Sequence, residues 1–273
     1  MEDATGRVVV VTGASSGIGL SAAVALARRG DHVVLVGRDP ARLSTAASEV
    51  RDASGALPPT YRADFAALDD VRTLGEALRA DYDRIDVLAN NAGAIVTHPA
   101  TTVDGFELSI QANHLAPFLL TSMLHDRVTR TVVTASDAHR FGALDPQDLN
   151  RPLSRYGAMR AYGTSKQANI LFAAEAARHW PGMLAVSFHP GGVRTRFYSD
   201  NRLMAWGIRH AWFLRTPEQG AETLVWLATT DPARLVNGGY YHDKKLRRPA
   251  AKAADPALAA TLWKASEAAV GLL

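Results

Sequence analysis

The chain has 273 residues and no cysteine, which excludes disulfides, thiolate metal sites, iron–sulfur clusters and a cysteine nucleophile. Apolar residues make up 47% and charged residues 21%, so the sequence predicts a folded globular protein rather than a disordered chain. A net charge of +3 indicates no nucleic-acid partner, and no apolar run reaches the roughly 18 residues of a membrane helix. Because the acidic N-terminus lacks the basic and apolar stretches of an export signal, we expect a cytoplasmic protein without stable membrane insertion.

Basic residues are concentrated near the end of the chain, at Lys244, Lys245, Arg247, Arg248 and Lys252. No aromatic residues that could stack on bases interleave with them. A solvated surface segment is therefore favoured over a nucleic-acid or phospholipid patch.

Short β-branched runs alternate along the chain with longer segments that have helical spacing. The predicted strands are 8–11, 32–36, 85–89, 131–134 and 184–188. The predicted helices are 18–29, 41–51, 68–80, 106–124 and 165–179. This alternation predicts an α/β fold, a single doubly wound Rossmann-type domain over residues 1–273 whose parallel sheet is covered by helices on both faces. Such sheets bind ligands beyond the carboxyl ends of their strands, so candidate site residues are sought there.

A glycine-rich turn follows the first predicted strand and precedes the first helix. Its glycines, Gly13, Gly17 and Gly19, have the spacing G-x-x-x-G-x-G. Glycines allow a tight turn and a close approach of the backbone to a pyrophosphate, while a helix N-terminus offers free N–H groups to phosphate. The order of strand, turn and helix therefore predicts a dinucleotide site, with a merely structural turn as the alternative.

The end of the second predicted strand indicates which dinucleotide is bound. An NAD site places a carboxylate there for the ribose 2′-hydroxyl, whereas an NADP site places a cation for the 2′-phosphate. Arg38 stands at this position and could bind phosphate through two charge-assisted hydrogen bonds, assisted by the hydroxyls of Ser15 and Ser16. Asp39 is interpreted as a helix N-cap. NADP(H) is favoured over NAD(H), and a plain surface role for Arg38 is the alternative.

Tyr162 and Lys166 stand four residues apart at the start of a helical segment, so they share one helix face. An ammonium beside a phenol favours the phenolate, which makes the tyrosine a usable general acid or base near neutral pH. A tyrosine and a lysine four residues apart are common by chance, so this pair supports a catalytic role only together with the other motifs.

Together these motifs resemble the short-chain dehydrogenase/reductase family of the classical type, over nearly the whole chain. Asn113, Ser136, Tyr162 and Lys166 match the family's catalytic asparagine, serine, tyrosine and lysine. The residues that match its cofactor-binding positions are Gly13, Ser15, Ser16, Gly17, Ile18, Gly19, Arg38, Asp64, Phe65, Asn90, Ala92, Gly93, Tyr162, Lys166, Pro190, Gly191, Val193 and Thr195.

Residues 113–120, 162–172, 237–241 and 262–267 resemble the retinol dehydrogenase-like subgroup within that family. Tyr162 stands 26 positions after Ser136, and the chain between them includes an insert, 141–160, that resembles the subgroup's extra loop. Tyr156 lies in this insert without a lysine four residues on, so we expect it to pack the loop. The sequence departs from the family at Ala135, where a second serine is usual, and at Ser16, where NADP enzymes often carry a basic residue.

The resemblance implies reversible hydride transfer between a nicotinamide and a carbonyl or alcohol carbon. Ser136 would hold the substrate oxygen, and Tyr162 would give or take the proton. Lys166 would assist Tyr162 and bind the nicotinamide ribose, while Asn113 would hold a water on the proton path. No metal is expected, because the nine histidines show no H-E-x-x-H spacing and His139 is interpreted as a satisfied loop histidine.

Residues 195–217 mix aromatic side chains with arginines, which suggests a lid over a bulky, apolar substrate. Ordinary packing or subunit contact and shallow membrane contact are the alternatives. A monomer and a homo-oligomer are both compatible with the sequence, and the implied reaction is reversible.

Three functions remain open from the sequence. The first is an NADP(H)-dependent reductase of a ketone or aldehyde, and the Ala- and Arg-rich composition favours a role in bacterial secondary metabolism. The second is a cofactor-binding protein with a regulatory or assembly role. The third is an isomerase, epimerase or dehydratase that uses a transient hydride transfer.

Overall fold

The computed structural model describes residues 6–193 and 214–273, and within them the backbone forms one eight-stranded sheet. The strands are β1 (Val8–Thr12), β2 (His32–Gly37), β3 (Thr60–Arg62), β4 (Val87–Asn90), β5 (Arg130–Thr134), β6 (Leu184–His189), β7 (Tyr240–His242) and β8 (Lys245–Arg247). Their order across the sheet is β3-β2-β1-β4-β5-β6-β7-β8, and every pair from β3 to β7 is parallel. The predicted fold class is confirmed.

The helices cover both faces of this sheet. They are α1 (Gly17–Ala27), α2 (Pro40–Ser54), α3 (Leu68–Asp81), α4 (Leu108–Ile110), α5 (Ala116–Leu124), α6 (Ala158–His179), α7 (Pro217–Thr229) and α8 (Pro256–Ala269). A π-helical segment, Gln111–Leu115, joins α4 to α5. Buried residues of α1, α2 and α7 form the core on one face, and those of α3, α5, α6 and α8 form the core on the other.

Strand β1 shows why the strands of this sheet are continuous apolar runs in the sequence. Val9 and Val11 point into the core beneath α1, whereas Val10 between them points into the core beneath α3 and α5. All three side chains are fully buried. A strand buried on both faces has no position left for a polar residue, so its sequence does not alternate.

Strands β3, β7 and β8 were not predicted, and β8 departs from the parallel sheet. Each of these strands has only three residues, too few to show a period of two. Asp243 and Lys244 connect β7 to β8 with positive φ angles of 52° and 60°, and such a tight turn can only join antiparallel strands. The residues of β8 are exposed, which agrees with a solvated basic segment and keeps this sheet edge charged.

The predicted lid, 195–217, falls almost wholly outside the described residues, which resume at Leu214. In the described part of the chain, no helix combines the length and the apolar character needed to cross a bilayer.

Helix α8 is held to α5 and α6 by an aromatic cluster centred on Trp263, whose side chain is 4% exposed. The Trp263 ring lies 5.0 Å from the Phe118 ring, 4.8 Å from the Trp180 ring and 4.1 Å from the His179 ring, measured between centroids. The indole Nε1–H donates to Glu267 at 2.8 Å, so the polar atom of this side chain is also paired.

We expect Trp263→Ala to lower the free energy of unfolding by about 3–5 kcal/mol, because it removes a large side chain from a packed cluster. Urea unfolding followed by circular dichroism measures the change. Leu57→Ala, at a side chain that is 66% exposed, serves as the control and should change stability by less than about 0.5 kcal/mol. Equal stability of the two variants would contradict the packing role of α8.

Candidate active site

Four neighbouring strands, β1, β4, β5 and β6, end at the same edge of the sheet, because they are parallel. The glycine turn follows β1, and the segment Asn91–Gly93 follows β4. Ser136 follows β5, and Pro190 follows β6. The order of the strands therefore gathers most of the predicted site residues along one edge.

The glycine turn is a cradle that any side chain would fill. Gly13 and Gly17 have φ angles of 66° and 56°, in the left-handed region that favours glycine. A Cβ on Gly19 would lie 2.3 Å from the Gly13 carbonyl oxygen, and one on Gly13 would lie 2.9 Å from the Cα of Ala92. Ser16 is exposed at the start of α1, where the first N–H groups of the helix are open to a ligand. This backbone fits the pyrophosphate of a dinucleotide.

Thr12 and Asn91 hold this cradle against β4, and sequence analysis had not singled them out. The Thr12 hydroxyl donates to the Ala89 carbonyl at 3.1 Å and accepts the N–H groups of Asn91 and Ala92, both at 3.0 Å. The Asn91 side-chain amide donates to the Thr12 carbonyl at 3.0 Å. Thr12 directly precedes the glycine turn, and Asn91 stands between the predicted cofactor residues Asn90 and Ala92, so these positions were the signal that could have identified them.

Asn90 was predicted to bind cofactor, but its side chain points into the core. It donates to the hydroxyls of Thr121 and Thr131 at 2.8 and 3.1 Å and is 2% exposed. As the last residue of β4 it faces away from its neighbour Asn91, since side chains alternate along a strand. Only the backbone of Asn90 is left for a ligand at this edge.

Arg38 is exposed beyond the end of β2, and within the described residues no carboxylate forms an ion pair with it. Asp39 accepts the Arg42 N–H at 3.1 Å at the start of α2, which confirms the predicted N-cap. Near the end of β3, Asp64 accepts the Ala66 N–H at 3.0 Å, and Phe65 is 7% exposed. The adenosine end of the predicted site thus offers a guanidinium that is open to solvent.

Helix α6 places Tyr162 and Lys166 on the face that is turned to the sheet. Tyr162 is 8% exposed and Lys166 only 1%, and Lys166 Nζ lies 5.4 Å from the centroid of the Tyr162 ring. Nζ donates to the Thr134 carbonyl at 2.9 Å, at the end of β5. Burial lowers the pKa of Lys166 to about 7, because removal from water disfavours the ammonium. A lysine in this environment can exchange its proton near neutral pH.

Asn113 lies beside Lys166 because the helix that carries it contains a π-helical turn. Its side chain accepts the Ala94 N–H at 2.9 Å and donates to the Ala94 carbonyl and to Ser165 Oγ, both at 3.0 Å. A Cβ on Gly93 would lie 2.9 Å from Asn113 Oδ1 and 3.3 Å from Lys166 Nζ. The three predicted residues therefore meet at one point. Ser165, which sequence analysis missed, connects Asn113 to α6.

Ser136 follows β5 and begins a short 3₁₀ turn, Asp137–Phe141. Its Oγ accepts the Ala138 N–H at 3.2 Å, which leaves the hydroxyl hydrogen free to reach a substrate. The turn approaches α6 closely, since a Cβ on Gly163 would lie 2.4 Å from the Ala138 carbonyl oxygen. Gly163 follows Tyr162 directly, so this contact sets the separation of the Ser136 turn from the tyrosine.

His139 is a satisfied loop histidine, as predicted. Its Nδ1 donates to the Ser136 carbonyl at 2.7 Å, and its Nε2 accepts the Ala250 N–H at 3.0 Å. Burial lowers the pKa of His139, which agrees with the neutral ring that these two hydrogen bonds require.

The segment after β6 lies beside the glycine turn. Gly191 has a φ of 86°, and Val193 pairs with Arg215. A Cβ on Gly220 of α7 would touch both Val193 and Ile18, at 2.7 and 3.2 Å, so these two predicted cofactor residues are close to each other. Thr195 lies outside the described residues.

This chain is similar in sequence to known dehydrogenases and reductases. A family model described as "short chain dehydrogenase" matches residues 7–142. A protein named as a daunorubicin C-13 ketoreductase, from Streptomyces sp. (strain C5), is 53% identical over 97% of this chain and 93% of its own length. The chain belongs to the short-chain dehydrogenase/reductase family.

Two further similar proteins bear on the subgroup and on the cofactor. Retinol dehydrogenase 14 of Mus musculus is 36% identical over 98% of this chain and 87% of its own length. The crystal structure of a short-chain dehydrogenase from Escherichia coli CFT073, complexed with NADPH, matches with a TM-score of 0.68 and 26% identity over 88% of this chain and 98% of that one. The resemblance to retinol dehydrogenase-like members is confirmed, and the chain is an oxidoreductase that uses a nicotinamide cofactor.

The insert of this dehydrogenase packs against the loop that follows β4. The Tyr156 hydroxyl donates to the Val96 carbonyl at 2.7 Å, in agreement with the expected packing role. Asn150 accepts the Glu107 N–H at 2.8 Å and donates to the Gly105 carbonyl at 3.0 Å, next to α4. Ala135, the departure noted before Ser136, is fully buried.

We expect Gly19→Ala to raise the dissociation constant of the nicotinamide dinucleotide at least tenfold, about 1.4 kcal/mol, because the new methyl group would displace the Gly13 backbone. Fluorescence titration of the dinucleotide measures the constant. Gly182→Ala is the matched control, since a Cβ there meets open space. An unchanged constant in Gly19→Ala would show that the turn does not hold the cofactor.

Proposed function

We propose that this protein is an NADP(H)-dependent ketoreductase that transfers hydride to a carbonyl carbon with Ser136, Tyr162, Lys166 and Asn113 as its catalytic group. The observation that carries the proposal is the buried Lys166 Nζ, 5.4 Å from the Tyr162 ring centre and next to the Asn113 side chain across Gly93. A buried lysine cannot act as a surface charge, so we interpret Lys166 as the group that assists proton transfer by Tyr162. The 53% identity to a protein named as a ketoreductase supports the reaction class.

Arg38 supports NADP(H) as the cofactor. Arg38 is exposed directly after β2, the position at which an NADP site carries a cation for the 2′-phosphate, and Ser15 and Ser16 lie on the turn after β1. Asp39 follows Arg38 and caps α2, where its Oδ1 already accepts the Arg42 N–H. NADPH in the related Escherichia coli structure points in the same direction.

In the proposed mechanism the bound nicotinamide supplies the hydride, and the protein positions the substrate and moves the proton. Ser136 Oγ donates a hydrogen bond to the substrate oxygen and holds the carbonyl carbon in place. Tyr162 gives its hydroxyl proton to the oxygen as negative charge develops there. The Lys166 ammonium stabilises the resulting phenolate, and its pKa of about 7 lets Nζ exchange a proton at neutral pH. Asn113 is fixed by its hydrogen bonds to Ala94 and Ser165, and in this mechanism it would hold a water on the proton path.

For the substrate we propose a ketone on a bulky, largely apolar natural product. The name of the Streptomyces relative specifies a C-13 ketone of daunorubicin, and that relative matches nearly the full length of this chain. The aromatic- and arginine-rich stretch 195–217, which we predict to cover the substrate, fits a molecule of this kind.

NADPH oxidation with a panel of ketones and aldehydes tests this function against its alternatives. Net oxidation with a bulky aromatic ketone supports a reductase. A product that forms without net NADPH consumption would favour the isomerase, epimerase or dehydratase. Tight NADPH binding without turnover, together with a stable protein partner, would favour a regulatory role.

We expect Tyr162→Phe to lower kcat by about a hundredfold or more, because it removes the proton donor. NADPH binding should change less than about twofold, since the ring remains and each tenfold change requires about 1.4 kcal/mol. Tyr156→Phe is the matched control and should keep its turnover. Full turnover in Tyr162→Phe would overturn the mechanism.

We expect Arg38→Asp to weaken NADPH binding by at least tenfold, because a charge-assisted hydrogen bond contributes about 1.5–3 kcal/mol. NADH binding should hold steady or tighten, so the ratio of the two dissociation constants reports the preference directly. Arg51→Asp, at the far end of α2, is the control for the added charge. If the ratio stayed at its original value, Arg38 would be only a surface residue.

A further inference from the structure

The Thr134 carbonyl, where Lys166 Nζ is anchored, accepts a second hydrogen bond. Lys166 Nζ donates to it at 2.9 Å, and the Asn169 side-chain amide donates at 3.0 Å from one turn further along α6. All three residues are nearly inaccessible, with exposures of 4% for Thr134, 1% for Lys166 and 1% for Asn169. A carbonyl oxygen has two lone pairs, so it can accept from both donors. The two hydrogen bonds together fix the directions of the Lys166 and Asn169 side chains.

The other end of the Asn169 amide faces a buried histidine. Asn169 Oδ1 and His114 Nδ1 are both buried, and within the described residues neither makes a hydrogen bond of ordinary length. The Asn169 side chain is nevertheless the group that raises the pKa of His114 against the larger effect of burial, so the two lie next to each other. An N–H from Nδ1 to Oδ1 would satisfy both, and leaving a buried polar atom unpaired costs about 1–3 kcal/mol.

The remaining nitrogen of His114 contacts helix α8. Nε2 lies 2.9 Å from Ser266 Oγ, on α8, and Ser266 is fully buried. Burial lowers the pKa of His114 to about 4, so the ring is neutral near pH 7. A proton on Nδ1 would allow the ring to donate to Asn169 Oδ1 and to accept from the Ser266 hydroxyl.

We propose that Asn169 and His114 are positioning residues that hold the Thr134 carbonyl as the anchor of Lys166 Nζ and connect that anchor to Ser266 of α8. The inference rests on the proposed function, because the lysine matters only if it serves Tyr162.

Apolar side chains surround this chain of polar groups. The Phe118 and Phe172 rings lie 6.2 and 6.1 Å from the His114 ring, and Trp263 packs against both phenylalanines. Polar groups in such a core cost free energy unless each is satisfied, and a satisfied network gains rigidity. Rigidity at this place acts on one atom of the catalytic group, Lys166 Nζ.

The amide at position 169 is matched to the lysine beside it. An amide donates to the shared carbonyl without adding charge, and burial lowers the pKa of Lys166 to about 7. A carboxylate at the same position would lose that hydrogen bond and attract the ammonium, because an opposite charge within about 4–6 Å favours the charged form. Asn169→Asp is therefore the variant that separates positioning of Lys166 from simple packing.

The first experiment measures Lys166 in the protein without cofactor. Labelled lysine Cε resonances are titrated by NMR in the wild type and in Asn169→Asp, with Lys166 assigned from Lys166→Arg. We expect the pKa of Lys166 to rise by at least one unit in Asn169→Asp, a tenfold change in proton affinity. Asn237→Asp makes the same change of side chain at a distant site and should leave this pKa unchanged. An unchanged pKa in Asn169→Asp would overturn the inference.

The second experiment follows the pH dependence of kcat, in case Asn169→Asp folds poorly. Asn169→Leu, His114→Gln and Ser266→Ala remove successive members of the chain. We expect the midpoint of the kcat profile to move most for Asn169→Leu, less for His114→Gln and least for Ser266→Ala, with KM for the ketone changing less than kcat. Lower stability with an unmoved midpoint in every variant would assign these residues to packing alone and overturn the proposal.

Tyr162→Phe separates the two levels of this argument. If that variant keeps full turnover, the proposed function fails, whatever the lysine does. If it is inactive and neither the pKa of Lys166 nor the kcat midpoint responds to Asn169, only the positioning inference fails.

Discussion

The burial of the Lys166 ammonium is the constraint on which the rest of the structure depends. A lysine side chain is expensive to remove from water, and polar partners must stand within reach of its last atom. Strand β5 supplies the Thr134 carbonyl, α6 supplies the lysine itself, and the π-helical turn brings Asn113 alongside. These three elements come from distant parts of the sequence, so the position of Nζ is fixed only when sheet and helices have packed together. Catalytic geometry and folding therefore depend on the same contacts.

Glycines set how closely these elements approach one another. Gly93 and Gly163 have ordinary backbone angles, so they are needed for space and not for conformation. A Cβ would lie 2.9 Å from Asn113 Oδ1 at the first and 2.4 Å from the Ala138 carbonyl oxygen at the second. The asparagine, the lysine and the serine turn reach Tyr162 because no side chain separates the backbones that carry them.

Sequence patterns predicted the long elements because burial of an entire face repeats over many residues. Strands β3, β7 and β8 escaped prediction because three residues carry no periodic signal. The π-helical turn was hidden inside a segment predicted as one helix, since an extra residue in a turn barely alters an apolar helical pattern. That turn nevertheless decides where the Asn113 side chain lies.

Motif matching located the candidate site but not the direction of each side chain. Asn90 and Asn91 are neighbours with the same chemistry, and the sequence pointed to Asn90. In the structure Asn90 binds Thr121 and Thr131 in the core, while Asn91 holds Thr12 at the cradle. A strand sends successive residues to opposite faces, and only the register at its end decides which face each one takes. Asn169 and His114 were missed for a related reason, because their roles depend on a carbonyl and a hydroxyl far away in the sequence.

The two halves of the chain contribute different parts of the proposed chemistry. The family match covers residues 7–142, which contain the glycine cradle, Arg38, Asn113 and Ser136. Tyr162 and Lys166 come later, and the C-terminal segment reaches back to the site twice, through Ala250 to His139 and through Ser266 to His114. The first half therefore carries the proposed cofactor cradle together with two of the four proposed catalytic residues. Similarity that extends through the second half, as with the Streptomyces relative over 97% of this chain, bears on the proton donor and the substrate.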